Sequence, residues 1–178
     1  MLYLPPQGAV MEDPARQAIA ILKDEHRSMS AVVKGMQARV TAAAAGIESF
    51  DAPLLRAMLD YIEMLPDRIH HPKEDQYLFR LLRERSQAAV GLLDELESEH
   101  HHARKTLSAL RGALERAEAS SGAKLVDLRR GLDDYALLLR EHMRREEELV
   151  LPMARACLKE EDWQEIARAF SANRNFAW

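Results

Sequence analysis

The chain twice places a histidine four residues before a glutamate, in the segments HHPKE and HMRRE. His70 precedes Glu74, and His142 precedes Glu146. Residues four apart lie on one face of a helix, so each pair points an imidazole and a carboxylate in the same direction. Imidazole suits zinc, copper, iron and nickel, whereas carboxylate prefers harder ions, and two such pairs predict a metal site.

A single histidine precedes each pair along the chain. His26 stands 44 residues before His70, and His100 stands 42 residues before His142. His26, His100 and His142 each interrupt an apolar seam whose members are three or four residues apart, which is the pattern of an inward helix face. A buried imidazole or carboxylate costs free energy without a partner, and metal ions can supply that partner for all of these groups.

A glutamate directly precedes three of these histidines. Glu25, Glu99 and Glu141 stand before His26, His100 and His142 and lie off the apolar seams. A carboxylate beside a metal-binding histidine commonly accepts a hydrogen bond from its outer ring nitrogen. These three glutamates are therefore candidate partners of the ligands.

The elements that must position these residues are helical, because Ala, Leu, Glu, Arg and Met dominate the sequence. Asp13 and Pro14 predict the start of the first helix, and Gly46 predicts its end. Ser86 is a candidate cap for the third helix, and residues 120–124 form a loop. The predicted helices cover about 14–45, 51–85, 88–119 and 123–158, with a short fifth helix at about 160–171.

Four long amphipathic helices with short connections predict an all-α fold, an up-down-up-down four-helix bundle. The bundle covers about 14–158 of a single domain spanning 1–178. Pro66 and Pro72 must kink or break the second helix, because proline lacks the backbone N–H that the helix needs. The kink could aim His70 and Glu74 at the bundle centre, or it could only follow the curvature of the bundle.

Composition excludes several other classes of protein. The net charge of −4 is spread along the 178 residues, so no basic block indicates a nucleic-acid surface. The single cysteine, Cys157, excludes an intramolecular disulfide and a cysteine-rich zinc site. The N-terminal MLYLPPQGAV lacks the basic start of a signal peptide, and no apolar run reaches the ~18 residues of a membrane span. We expect a cytoplasmic protein.

The chain resembles the hemerythrin-like family, also called the HHE cation-binding domain. The resemblance rests on KDEHRSM, HHPKEDQYLF, ELESEH and REHMRREEELVLP in this order, over about residues 14–158. It implies two iron ions in a non-haem di-iron centre with carboxylate bridges and an oxo or hydroxo bridge. The ligands it implies are His26, His70, Glu74, His100, His142 and Glu146. The segment EEDWQEIARAFSANR resembles an extension of bacterial members.

The sequence departs from the oxygen-carrying members of that family. Where they place a second histidine on the third helix, this chain has Arg104, which argues against simple reversible oxygen transport. Their C-terminal carboxylate ligand lies five residues after its histidine, where this chain has Glu147. We prefer Glu146 because it lies on the seam. His101 and His102 are expected to face solvent, and His71 is left open because Pro72 distorts its turn.

The function favoured by the resemblance is binding or sensing of a small ligand, namely dioxygen, peroxide or nitric oxide, or of iron itself. One alternative is a di-iron enzyme that acts on peroxide or nitric oxide, or in iron-sulfur repair. A second alternative is an interaction or regulatory bundle in which the metal only stabilises the fold. The sequence predicts neither a nucleic acid nor a membrane as partner, and it identifies no protein partner.

Overall fold

The computed structural model describes residues 13–120, 122 and 124–172. These residues form helices and turns without a strand, which confirms the predicted all-α class for the described part of the chain. We number the five uninterrupted helical stretches in chain order. They are α1 (Pro14–Ala44), α2 (residues 52–85), α3 (Val90–Ala119), α4 (residues 125–157) and α5 (Glu160–Ala172).

The ends of the first two helices agree with the sequence signals. The side chain of Asp13 accepts a hydrogen bond from the backbone N–H of Ala15 at 3.0 Å, and Asp51 accepts one from Leu54 at 3.0 Å. Such side-chain caps satisfy backbone donors that the first helical turn leaves unpaired. Gly46 follows α1 with a φ of 70°, a left-handed conformation that glycine adopts without strain.

The predicted cap at Ser86 is wrong. Its side chain makes no capping hydrogen bond, and its backbone carbonyl instead accepts from Ala89 at 3.1 Å. A short 3-10 turn, Gln87–Ala89, leads into α3 in place of a capped α-helical start. In the predicted loop at 120–124, residues 121 and 123 lie outside the described residues.

Helix α2 passes its prolines without a break. It contains two π-helical turns, Leu65–His70 and Glu74–Phe79, on either side of a short α-helical turn, His71–Lys73. In the first π turn the backbone N–H of His71 bonds to the carbonyl of Pro66, five residues earlier. Wide turns of this kind absorb an extra residue and are frequent at functional sites. Helix α2 therefore widens locally beside its prolines, and the chain stays helical.

The apolar core consists of two clusters with a polar layer between them. The first contains the C-terminal half of α1, from Met29 onward, and the N-terminal half of α2. It also contains the matching halves of α3 and α4. The second contains the opposite halves of these helices together with α5. The residues between the clusters are buried and polar; they are His26, His70, His71, Glu74, His100, His142 and Glu146.

Helix α5 closes the second apolar cluster. Trp163, Ile166 and Phe170 are buried at the spacing that the sequence predicted for a packing face. Arg85 of α2 holds the start of α5, because its guanidinium donates two hydrogen bonds of 2.8 Å to Asp162. Within the described residues, none of the helices has both the length and the apolar character that a bilayer crossing requires.

Candidate metal centre

Four imidazoles of the polar layer, one from each of the four long helices, are arranged as two pairs. His26 and His70, the first imidazole pair, bring their Nε2 atoms to 3.1 Å. His100 and His142, the second imidazole pair, bring theirs to 3.0 Å. All four side chains are at most 4% exposed. The sequence-predicted histidines thus meet at one place with their Nε2 atoms facing each other.

The outer nitrogen of each of these histidines bonds to a carboxylate. A carboxylate can only accept, so the Nδ1 atom carries a proton, and in the neutral imidazole the Nε2 atom keeps its lone pair. The Nδ1 donors and their acceptors are His26 and Glu147 (2.9 Å), His70 and Glu25 (2.8 Å), His100 and Asp75 (3.1 Å), and His142 and Glu99 (2.8 Å). Facing lone pairs at about 3 Å repel each other unless a proton or a cation lies between them.

Two of the three glutamates that precede a histidine are among these acceptors, although each bonds to a histidine of another helix. Glu25 accepts from His70, and Glu99 accepts from His142. Glu141 does not take part, because it lies at the surface and pairs with Arg144. The expectation that Glu141 supports a ligand is therefore wrong.

Glu74 and Glu146, the central glutamates, lie between the two imidazole pairs and are at most 1% exposed. Glu146 places one oxygen 3.2 Å from Nε2 of His26 and the other 3.1 Å from Nε2 of His142. Glu74 places its oxygens 3.2 Å from Nε2 of His70 and 3.6 Å from Nε2 of His100. Each carboxylate therefore offers one oxygen to each imidazole pair.

The central carboxylates lack conventional hydrogen bonds. None of their four oxygens has a partner of suitable hydrogen-bond geometry among the described residues, although the Nε2 atoms are close enough. The neutral imidazoles cannot donate to these oxygens, because their Nε2 atoms present lone pairs once the Nδ1 atoms carry the protons. Buried ionised carboxylates without donors require a cation.

The pKa shifts of the surrounding groups also indicate that a positive charge is stabilised here. Burial lowers the pKa of His70, but the charge of Glu74 and the hydrogen bond with Glu25 outweigh burial and raise it to about 10. Burial also lowers the pKa of His142, and there Glu146 and Glu99 raise it to about 10. Burial raises the pKa of Glu146, but His142 and His26 hold it well below its usual value. The protein's own groups thus favour a cation beside the central glutamates.

The π-helical turns help to place the central glutamates. Glu74 begins the turn Glu74–Phe79 in α2, and Glu146 begins the turn Glu146–Val150 in α4. In α4 the N–H of Leu151 bonds to the carbonyl of Glu146, five residues earlier. A widened turn changes which side chains of a helix face inward. Both glutamates therefore stand where a regular helix changes its register.

Two groups of four side chains have ligand atoms within 4.8 Å of one another. Each group contains one imidazole pair and both central glutamates, so the two groups share their carboxylates. A third group within the described residues joins the second imidazole pair with His71, whose position the sequence left open. His71 is buried, whereas His101 and His102 are exposed as expected.

The sequence reasoning missed Asp75 as a partner and considered Glu147 only as a ligand. Each directly follows a central glutamate, and each accepts from an outer nitrogen, Asp75 from His100 and Glu147 from His26. Glu147 is 32% exposed at its side chain, so it lies outside the cluster that Glu146 enters. The signal was present in the sequence, since both central glutamates are followed by a second acid.

The chain matches a protein-family model. The family model described as the hemerythrin HHE cation binding domain matches residues 17–154. The matched segment begins in α1, ends in α4 and includes every side chain of the polar layer. Comparison with curated proteins gives no match.

Proposed function

The chain belongs to the hemerythrin HHE cation binding domain family, and on that premise we propose that it holds two iron ions which bind a small ligand. The ligands of the ions are the two imidazole pairs and the central glutamates, as the sequence resemblance implies. The observation that carries the proposal is the position of the central glutamates, each with one oxygen beside each imidazole pair. A single ion would leave half of these carboxylate oxygens and one imidazole pair without a partner.

The donor set fits iron better than a structural zinc site. Zinc in structural sites takes four ligands in a tetrahedron, and this cluster offers six side chains of mixed nitrogen and oxygen donors. Imidazole is a suitable ligand for iron, and carboxylate is a ligand that harder metal ions prefer, so a mixed set of both suits iron. The outer carboxylates orient the imidazoles and raise their basicity, as in other histidine metal sites. Bound iron would supply positions at which dioxygen, peroxide or nitric oxide can bind.

A count of ligand atoms leaves room for such a molecule. Two six-coordinate ions have about twelve positions, taking octahedral geometry as the guide. Four imidazoles would fill about four of them, and two carboxylates with both oxygens bound would fill about four more. About four positions remain for a solvent-derived bridge and for an external ligand, which is the feature that distinguishes reactive from structural metal sites.

The rest of the chain holds this centre and keeps water from it. The two apolar clusters lie on either side of the polar layer and leave its side chains at most 4% exposed. Arg104 is exposed on α3, so that helix offers only His100 to the centre. We also propose the up-down-up-down order of the four helices. The two apolar clusters support this order, because the first joins the end of α1 to the start of α2 and the end of α3 to the start of α4, and the second joins the end of α2 to the start of α3.

Iron analysis combined with ligand titration tests the proposal. The protein is loaded with Fe(II) without oxygen, its iron content is measured, and the oxidised form is titrated with azide while the absorption spectrum is followed. We expect about two ions per chain, from the two ligand groups, and a new charge-transfer band that saturates with azide. One tightly held zinc ion without iron uptake would overturn the proposal.

Two further outcomes would redirect the proposal to the alternatives. Rapid and repeated turnover of peroxide or nitric oxide would favour the di-iron enzyme. Iron uptake without any spectral response to azide would favour a bundle in which the metal only stabilises the fold. The spectra before and after dithionite, air and peroxide separate these cases in one preparation.

A further inference from the structure

His71 is the one buried histidine that the proposed ligand set does not use. It is 4% exposed and lies next to His70 on α2, but its ring faces the second imidazole pair. The ring stacks on that of His100 with the centroids 3.8 Å apart and the planes at 14°. One ring nitrogen lies within 4.8 Å of the ligand atoms of His100 and His142. His71 therefore approaches the centre closely enough to act there.

The stacking shows that His71 does not share an ion with His100. An imidazole binds a metal in the plane of its ring, along the nitrogen lone pair, at about 2.0–2.1 Å for zinc. Two rings stacked nearly parallel have planes that do not meet near either nitrogen. An ion held in the plane of His100 therefore lies outside the plane of His71.

The surroundings of His71 also differ from those of the ligands. Each of the four ligating imidazoles has its Nδ1 atom bonded to a carboxylate at 2.8–3.1 Å. Nδ1 of His71 has no hydrogen-bond partner among the described residues, and the nearest carboxylate oxygen, Oδ1 of Asp67, lies at 3.5 Å. His71 thus lacks the hydrogen bond that fixes the orientation of every ligand histidine.

Buried polar atoms without partners are concentrated on this side of the centre. Apart from the oxygens of the central glutamates, the described residues contain three such atoms, which belong to Asp67, His71 and Tyr135. Asp67 lies one turn before His71, and its side chain is 14% exposed. Tyr135 is 1% exposed, and burial together with the charge of Asp67 raises the pKa of its hydroxyl. Unpaired polar atoms in a core are costly unless a ligand or water pairs with them.

We propose that His71 and Asp67 line a hydrogen-bonding pocket for the external ligand on the His100 side of the metal centre. The inference rests on the proposed function, since it needs the loaded centre. His71 donates a hydrogen bond to the far end of the ligand and does not bind the metal. A ligand with a terminal hydrogen-bonding atom, such as peroxide, gains this bond, whereas nitric oxide gains little from it.

An imidazole that binds no metal can form hydrogen bonds through its ring nitrogens. In its neutral form it has one donor and one acceptor nitrogen, so His71 can donate to a ligand from one side and accept from the other.

Variants of His71 test the assignment in the iron-loaded protein. His71→Phe keeps a flat ring against His100 and removes the hydrogen bonds, and His71→Leu removes the ring as well. His71→Gln restores a donor and an acceptor. The control is His101→Phe, because His101 is exposed and bonds only to the backbone of its own helix. For each protein, iron content, azide affinity and nitric oxide affinity are measured; azide serves as the hydrogen-bonding probe.

We expect His71→Phe and His71→Leu to keep their iron and to bind azide about tenfold more weakly, as for one lost hydrogen bond to a charged group. Their nitric oxide affinity changes less than about threefold, His71→Gln regains azide affinity, and His101→Phe behaves as the parent protein. Loss of iron from both His71→Phe and His71→Leu would make His71 a metal ligand and overturn the proposal. Equal losses of azide and nitric oxide affinity, or no loss, would also overturn it.

The same experiment separates this inference from the proposed function. If the parent protein takes up no iron or does not bind azide, the proposed function is wrong before any variant is compared. If the parent protein binds both, only the variants decide the role of His71.

Discussion

Lys73 connects the metal centre to the C-terminal helix, and its replacement by methionine gives a sharp test of the hydrogen bonds around the centre. Lys73 is 4% exposed, and its ammonium pairs with one oxygen of Glu25. The other oxygen of Glu25 accepts the Nδ1 proton of His70 at 2.8 Å. The ammonium also lies 5.3 Å from the ring centroid of Phe170 on α5.

Lys73→Met leaves Glu25 with a single partner in a mostly buried position. Methionine keeps the length of the aliphatic stem and a favourable contact with an aromatic ring, so the change removes mainly the charge. Breaking a buried ion pair costs about 3–5 kcal/mol of unfolding free energy. Glu25 is still 16% exposed and keeps its bond to His70, so we expect the lower end, about 3 kcal/mol. Weaker orientation of His70 should also lower metal affinity about 10- to 100-fold.

The matched control is Lys23→Met. Lys23 pairs at 3.1 Å with Glu147, which accepts from His26 as Glu25 accepts from His70, but the Lys23 side chain is 40% exposed. Exposed pairs contribute about 0–1 kcal/mol, so this variant should unfold near the parent. Urea unfolding and competition with a metal chelator measure both effects. Equal losses of unfolding free energy and metal affinity in the two variants would mean that the buried Lys73–Glu25 pair contributes no more than the exposed pair of Lys23 and Glu147.

The pH dependence of the difference in unfolding free energy between the parent protein and Lys73→Met gives an independent check. Burial raises the pKa of Glu25, but His70 and Lys73 outweigh burial and lower it below the usual 4.5. A depressed folded pKa contributes stability above the unfolded pKa, and this contribution is lost as the pH falls through the folded value. The gap between the parent and Lys73→Met should therefore be full at pH 7 and close on acidification below about pH 4.

Three further outcomes follow from the geometry of the centre. The pKa values of His70 and His142 are raised to about 10, so a cation must displace their protons at pH 7. Metal loading should therefore release about two protons per chain, and metal affinity should rise between pH 6 and 9. Calorimetry in buffers of different ionisation enthalpy measures both effects. His142→Ala should lower metal content while His102→Ala, at an exposed position, should not, and equal loss would mean that the register of α3 is wrong. Glu99→Gln should weaken metal binding about tenfold in chelator competition, whereas Glu141→Gln should leave it unchanged; the reverse result would contradict the observed hydrogen bonds.

The sequence predicted those features of the fold and the site that depend on regular helix periodicity. His26 and His100 interrupt regular seams, and the structure places both in the polar layer. The start of α1 at Asp13 followed from local capping chemistry, which needs no knowledge of the tertiary fold. The alternation of helix directions remains a prediction.

The orientation of His71 could not be predicted, because the π-helical turns on either side of it change the register of α2. A seam drawn at regular helical spacing places either His70 or His71 inward, and the widened helix buries both. The prolines indicated a disturbance there, but they did not reveal that the helix would widen. The prediction that Glu141 is a hydrogen-bond partner of a ligand histidine was wrong for a related reason. Its place before His142 repeats a sequence pattern, but its direction depends on which helix packs beside it, and it points to solvent.

The two-iron centre is tested most directly by the crystal structure of the iron-loaded protein, with anomalous scattering measured at the iron edge. We predict two iron peaks in the polar layer. One peak should lie at each imidazole pair, and both should be coordinated by Glu74 and Glu146. A single iron peak, or peaks that contact only one of these glutamates, would contradict the account.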